Sequence, residues 1–357
     1  METGPVVDAA EAAIGSPPIV LRLLDADGDP HGGHVTYLVQ VADVPDGLVP
    51  WSGELDDHPL RMPWARPGGP VADLAWAVDR LAELGRDLVA PPVQERTWNL
   101  SSLWRLPTTD GVAWLKVVPP FFAHEPAVIG GLDDPALPPL LAGEPGRSLL
   151  AEVPGEDGYH AGVRGWAEFV DALVRIQLGA VDRLDELVAA GVPQVGLGEL
   201  VDRVAEVLGR RRSELSVPDL GRLESVLAAA PAAIEVVAEL GPPPTIVHGD
   251  AHSGNCRFGP DGVTVLDWGD AFIGQPLLDL AVIESYAPEL ADDVIERWLD
   301  RWRRAGIGRV DEAWRAVAPL ARLRAAVVFQ DFLDQIEPAE RRYHEADVVP
   351  ALVGGAS

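Results

Sequence analysis

The sequence predicts an α+β fold: a strand-bearing amino-terminal half, a helix-rich carboxy-terminal half, and a small α/β unit in front of both. Three observations carry this. Short apolar runs bounded by Gly, Asp and Pro occupy the early chain, and apolar residues recur at helical spacing in the later chain. The length, 357 residues with 47% hydrophobic content, is too great for one small core and natural for two lobes plus an addition.

Taken in order, residues 1–18 are rich in Ala, Gly, Pro and acid and read as a flexible start, in which 8–14 can form a short helix. Residues 19–24 and 34–41 flank the turn Asp25-Ala26-Asp27-Gly28-Asp29 and read as a hairpin with Tyr37, Val39 and Val41 on one face. No Glu closes a twelve-residue loop there, so the DxDGD run is a turn and not a calcium site. Helical spacing at Leu74, Val78, Leu81 and Ala82 predicts a helix over 71–84 and completes a cap at 19–90. An amino-terminal lobe with its hinge follows at 91–155, and 156–357 is the helical lobe. Its helices are expected at 166–178, 197–212, 220–240, 277–286, 291–305 and 313–336, with Pro193, Pro218, Pro242, Pro288 and Pro338 as breakers.

Composition narrows the partners. With 28 basic against 56 acidic residues, the chain repels nucleic acid and anionic membranes and favours cationic or neutral small molecules. The single Cys256 permits no internal disulfide, residues 1–18 lack a basic secretory region, and no apolar run is long enough to span a bilayer. The expected compartment is the cytoplasm.

The chemistry concentrates in His248-Gly249-Asp250-Ala251-His252-Ser253-Gly254-Asn255 and the later Asp267-Trp268-Gly269. Asn255 follows Asp250 by five residues and Asp267 follows Asn255 by twelve. Between them, a hairpin turning at Gly259-Pro260-Asp261-Gly262 folds Asp267 back beside Asn255, where the two can clamp a divalent ion. Protein kinases arrange a base, an Asn and a metal-binding Asp in this order. His248 and His252 lack the acid of a zinc motif and read as scaffolding for this loop.

Lys116 is the one lysine among the 28 basic residues. A compact ammonium on a strand, Val112 to Val118, suits the α- and β-phosphates of a nucleotide, which a planar guanidinium does not mimic. Glu125 opens the next helix either as the acid that orients Lys116 or as an ordinary acid favoured by the helix dipole. The arginines at 210–212 and 301–304 read as solvated faces, and Trp298, Trp302 and Trp314 as helix packing.

These residues resemble the aminoglycoside phosphotransferase and choline kinase superfamily of small-molecule kinases, whose hallmark HGDxHxGN precedes a DW or DF turn; the likeness covers 94–347. The resemblance implies a bilobal protein-kinase-like fold that uses ATP and Mg2+. Asp250 would be the catalytic base, Asn255 and Asp267 the magnesium ligands, Lys116 the phosphate ligand and Glu125 its partner. Residues 149–155 would be the hinge, with backbone groups near Glu152 and Val153 pairing with adenine, and Asp279 would brace the catalytic loop.

No GxGxxG precedes Lys116, so Asn99, Ser101 and Ser102 are the candidates to cap phosphate. Gly249 stands where protein kinases carry Arg, and eleven residues between Asp267 and Asp279 leave little room for a peptide-docking segment. The cap resembles the amino-terminal addition of maltokinases and bacterial glucosamine kinases. For the acceptor, Glu284, Gln330, Asp331 and Asp334 are candidates to bind hydroxyls or ammonium groups. An amino sugar or aminoglycoside fits them best, with a neutral sugar or amino alcohol as the alternative. A nucleotide-binding pseudokinase is the competing reading, opposed by the intact Asp250, Asn255, Asp267 and Lys116.

Overall fold

The computed structural model describes residues 3–27, 34–44, 46–47, 49, 52–53 and 55–355. Its contacts divide the chain into one unit of Met1–Ala123, Pro139–Glu152 and Leu333–Tyr343, and a second of His124–Pro138, Val153–Phe332 and His344–Ser357.

In the first unit, helix α1 (Gly4–Ile14) stands where the sequence suggests a flexible start. A proline in its first turn costs no hydrogen bond, and Thr3 N ties the helix to Glu95 O at 3.2 Å. Strands β1 (Ile19–Asp27) and β2 (His34–Gln40) form the expected antiparallel hairpin, Ile19 opposite Gln40; its turn residues Gly28 and Asp29 lie outside the described residues. Helix α2 (Gly69–Glu83) buries Ala77 and Leu81.

Next come β3 (Val93–Thr97), β4 (Ser102–Thr108) and β5 (Gly111–Val117), and, after the second unit's α3 (Glu125–Gly131), β6 (Leu140–Glu144) and β7 (Arg147–Ala151). They make one antiparallel sheet in the order β3-β4-β5-β7-β6. Alternation along β5 sends Ala113, Leu115 and Val117 into a core with Trp104, Leu106, Leu149, Trp64 and Leu81. Lys116 therefore lies on the opposite face of the sheet.

The segments read as cap and as amino-terminal lobe fall in this same unit, because polar stitches join them. Buried Gln94 on β3 accepts from Val20 N at 2.9 Å and donates to Val20 O at 2.8 Å on β1. Arg61 in turn grips Glu337 with its Nη2 at 2.7 Å from Oε2.

The second unit adds β8 (Glu156–Asp157), α4 (Val163–Ala180), α5 (Leu184–Ala189), α6 (Leu197–Arg211) and α7 (Val217–Leu240). Then follow β9 (Thr245–Val247), β10 (Cys256–Gly259), β11 (Gly262–Val265), β12 (Phe272–Gly274), α8 (Leu278–Tyr286), α9 (Ala291–Arg304), α10 (Val310–Arg322), α11 (Arg324–Gln335) and α12 (Val348–Gly355). Strands β9 and β12 pair antiparallel, and β11-β10-β8 form a second small sheet. The apolar stripe of α4, with Phe169, Val170, Leu173 and Ile176, is fully buried beside Trp298 and Trp302 of α9.

The single helix expected over 313–336 is two. Leu323 N closes a short turn on Leu320 O at 3.1 Å, and α11 starts afresh with Arg324 turned toward the loop after β9. Among the described residues no helix is long and apolar enough to cross a membrane.

Candidate active site

Strand β9 is buried along its whole length and delivers the chain into His248–Asn255. What holds this loop is a carboxylate from outside it. Asp279, on the first turn of α8 and fully buried, accepts from His248 N at 3.0 Å and Gly249 N at 2.9 Å, and from Gln177 Nε2 at 2.9 Å. Burial pushes its carboxyl up, while the neighbouring His248 and these N–H donors pull it down. Gln177 was not legible as a site residue; it also takes Trp298 Nε1 at 3.2 Å and so ties the loop's anchor to the core.

Gly249 has φ +85, and a Cβ there would stand 2.2 Å from Asp270 O and 2.9 Å from an Arg324 guanidinium nitrogen. That crowding explains why no larger residue occupies the position. Arg324 Nη1 donates to Gly249 O at 2.6 Å and stacks over Phe272 at 4.9 Å.

His248 is a scaffold. Its Nδ1 accepts from Asp250 N at 3.3 Å, so the proton sits on Nε2, which donates to Leu266 O at 2.9 Å.

The hairpin brings the remaining residues together. Cys256 pairs with Val265, and Leu266 N extends the ladder to Asn255 O at 2.7 Å, which sets Asp267 one residue beyond Asn255's partner. Asn255 Nδ2 donates to Asp250 O at 3.0 Å and to Asp250 Oδ2 at 2.9 Å, while His252 Nε2 stands 3.3 Å from the same Oδ2. Burial works to raise the Asp250 carboxyl, but the His252 hydrogen bond and charge, His248 and Asn255 together hold it below the usual range. Asp250 is therefore a carboxylate at neutral pH, as a proton acceptor must be.

Both hydrogen bonds of the Asn255 side chain use Nδ2, which leaves Oδ1 as a hard oxygen donor. Asp267 holds φ 61 and ψ 63, a left-handed conformation rare outside glycine. Its neighbour Trp268 is fixed by donation from its N to Glu125 Oε1 at 3.1 Å and from its Nε1 to Val265 O at 2.9 Å. Glu125, the first residue of α3, is buried, so it is not a surface acid at a helix terminus. Among the described residues no group of three His, Cys, Asp or Glu side chains can hold a metal ion. Two oxygen donors from Asn255 and Asp267 suit an ion that completes its shell with phosphate and water, the habit of magnesium.

Other expected residues fare differently. Ser102 is fully buried, and its Oγ accepts from Trp104 Nε1 at 3.1 Å, so it does not cap phosphate. Ser101 Oγ takes Trp98 Nε1 at 2.9 Å. Asn99 is buried and lines a cavity of about 30 Å³ shared with Arg22, Tyr37 and Glu340, a volume for a water or two. Glu152 spends its backbone N on Val112 O at 3.1 Å and its carboxylate on Trp114 Nε1, so its N–H is not available to adenine. Val153 falls in the second unit.

The acceptor candidates are engaged as well: Arg322 grips Glu284 at 2.6 and 2.8 Å, Arg203 pairs with Asp331, and Arg211 Nε donates to Gln330 at 2.9 Å. Asp334 stands on the same helix as Gln330 and Asp331, three residues after Asp331 on α11. Beside the catalytic loop lies instead a cavity of about 310 Å³, lined by Tyr159, Trp166, His252, Tyr286 and Pro288, of which the sequence placed only His252 in the site.

The model of the family described as phosphotransferase enzyme family matches residues 120–320. No curated protein matches the chain. Among solved structures, macrolide 2'-phosphotransferase MphH from Brachybacterium faecium is similar, at 18% identity over 77% of this chain and 97% of that one, with a TM-score of 0.53. APH(2")-IIIa in complex with GDP and kanamycin matches at 13% identity over 79% and 98%, TM-score 0.57. The streptomycin–ATP–APH(2")-IIa ternary complex matches at 12% identity over 78% and 96%, TM-score 0.50. At such identities the likeness is one of fold, the α+β protein-kinase-like fold with two lobes.

Proposed function

Since the chain belongs to the phosphotransferase enzyme family and is a small-molecule phosphotransferase, we propose that it moves the γ-phosphoryl group of ATP to a hydroxyl of its acceptor, with Asp250 as the base. The observation that carries this is the ionised Asp250, held below the usual carboxylate range by His252, His248 and Asn255 against the effect of its burial. Asp250 accepts or orients the hydroxyl proton through Oδ1 or Oδ2. Asn255 and Asp267 would hold magnesium, which when bound offsets charge on the transferring phosphates. Lys116 is the proposed phosphate contact, and Glu125 keeps the metal turn in place through Trp268 N. Structures of relatives carrying GDP or ATP support nucleotide use. A cytoplasmic location is proposed on the sequence alone.

A polycationic acceptor loses support, because the acids expected to bind it are paired with arginine. The test is Asp250→Asn in an acceptor-dependent ADP-release assay. The variant is expected to bind Mg-ATP as the wild type does and to lose about 10²-fold or more in turnover; transfer near the wild-type rate would remove Asp250 from its role.

A further inference from the structure

The cavity lined by His252, Ser253 and Gly254 of the catalytic loop has two walls, and each is built on that loop. On one side, Asp279 and Tyr286 lie seven residues apart on α8 and so share a face. Asp279 holds the backbone at 248–249, and Tyr286 stacks on His252, with ring centroids 4.0 Å apart and planes at 11°. His252 in turn reaches Asp250 at 3.3 Å. One helix thereby places both the loop and an aromatic ring next to the base.

On the other side, β8 pairs with β10 through Arg257 opposite Asp157, and Ser253 Oγ donates to Gly158 O at 2.8 Å. The next residue, Tyr159, lies 6.5 Å from the His252 ring. Gly254 makes room for it, since a Cβ there would stand 2.8 Å from Tyr159 Cε1 and from the His252 ring.

The remaining lining is apolar, with Trp166, Ala161, Ala287, Pro288 and Leu290, and Glu289 is its one acid. Tyr159 is 66% exposed and Tyr286 57% exposed, although two of the chain's four tyrosines gain nothing for folding by facing water. Tyr159 after β8 and Tyr286 at the end of α8 thus keep ring surface open toward the cavity, and a volume of about 310 Å³ accommodates one substituted ring system.

We propose, resting on the kinase reading above, that this pocket selects the acceptor by stacking. The acceptor is a hydroxylated ring compound, neutral or with a single positive charge, whose flat apolar face lies against Tyr159 and Tyr286 and presents its hydroxyl to Asp250. Glu289 in the lining and the Asp250 and Asp270 charges that reach Tyr286 stand against three aromatic rings, and Asp250 is committed to the hydroxyl, so a polycation would leave ammonium groups without partners on losing water.

The experiment uses the full chain with Mg-ADP and two probes, phenyl β-glucoside and kanamycin, with binding followed by saturation-transfer NMR. Phenyl β-glucoside is expected to bind, to weaken by about tenfold or more in Tyr286→Ala and in Tyr159→Ala, and to be retained in Tyr286→Phe. Because Tyr286 also backs His252, the Tyr159 variant reports on the pocket without touching that stack. Kanamycin binding as well as the aryl glycoside, or aryl glycoside binding that neither alanine variant weakens, or no aryl glycoside binding at all, overturns the proposal. Magnesium-dependent ADP affinity, read in the same samples, separates the two readings. Its absence in the wild type defeats the kinase reading, while normal ADP affinity without stacking defeats the acceptor proposal alone.

Discussion

Two turns, residues 98–102 in the first unit and 248–255 in the second, look alike in the sequence: each follows a short strand, and each carries Asn and Ser. Their fates differ because of what holds them. The turn at 248–255 is pinned from outside by the buried Asp279 carboxylate and by Arg324 on a backbone carbonyl, so Asp250 and Asn255 are spared for chemistry. The turn at 98–102 is held by its own side chains and by tryptophans. Trp64 Nε1 donates to Trp98 O at 2.9 Å, and Ser101 and Ser102 accept from Trp98 and Trp104. A loop does chemistry when another element bears the cost of fixing it.

The largest effect is expected at Asp267, the carboxylate that the β10–β11 hairpin brings back beside Asn255. Asp267→Ala should weaken magnesium-dependent nucleotide binding by at least about 10²-fold, and Asn255→Ala by less, because a carboxylate contributes charge as well as an oxygen. Its left-handed backbone adds a second readout. Asp267→Gly should lose the nucleotide equally yet unfold at higher temperature, by about 1 kcal/mol of relieved strain. Titration with and without magnesium, paired with thermal melts, reads both. Full affinity in Asp267→Ala would place the metal elsewhere.

A middle-sized effect separates the first unit's proposed phosphate contact from its serines. Lys116→Arg should cost about tenfold in activity or more despite its retained charge, since a guanidinium does not occupy the same point between phosphate oxygens. Ser102→Ala should leave nucleotide KM within about twofold and instead cost about 1–2 kcal/mol, by orphaning the buried Trp104 indole N–H. A Ser102 variant that is stable but poor in nucleotide binding would reverse the contrast drawn between the two turns.

What the sequence reveals follows the same division. The hairpin from Cys256 to Val265, the entering strand β9 and the order Asp250, Asn255, Asp267 are legible because partners lie within about twenty residues and turn chemistry sets the register. The first-unit β1–β2 hairpin and α2 are legible for the same reason. Gln94 bracing Val20, Arg61 gripping Glu337 across 276 residues, and Asp279 reaching back to His248 depend on tertiary proximity. Of these, only Asp279 left a signal, through its place after the metal turn. The arginine partners of the acids at 284 and 331 were not legible, because an acid-rich chain offers many carboxylates and only the fold reveals which are paired. Tyr159 and Tyr286 stand alone in the sequence with no spacing to mark them.

The smallest effect tests the cluster that long-range contacts build in the first unit, where polar side chains serve structure. Arg22, Arg61 and Glu337 are buried together, and burial, followed by the nearby Glu337 charge, pushes the Glu340 carboxyl from its ordinary 4.5 up to about 7, against the pull of Arg22 and Arg61. Because the folded value lies above the unfolded one, it is the ionised form that the fold disfavours. The penalty is absent below about 4.5, grows as pH rises, and is complete above about 7. Glu340→Gln should therefore leave stability unchanged at acid pH and raise it by about 3 kcal/mol at mildly alkaline pH. Thermal unfolding of wild type and variant at several pH values measures the difference. Two curves that stay parallel across that window would show that Glu340 ionises as freely in the fold as in the unfolded chain.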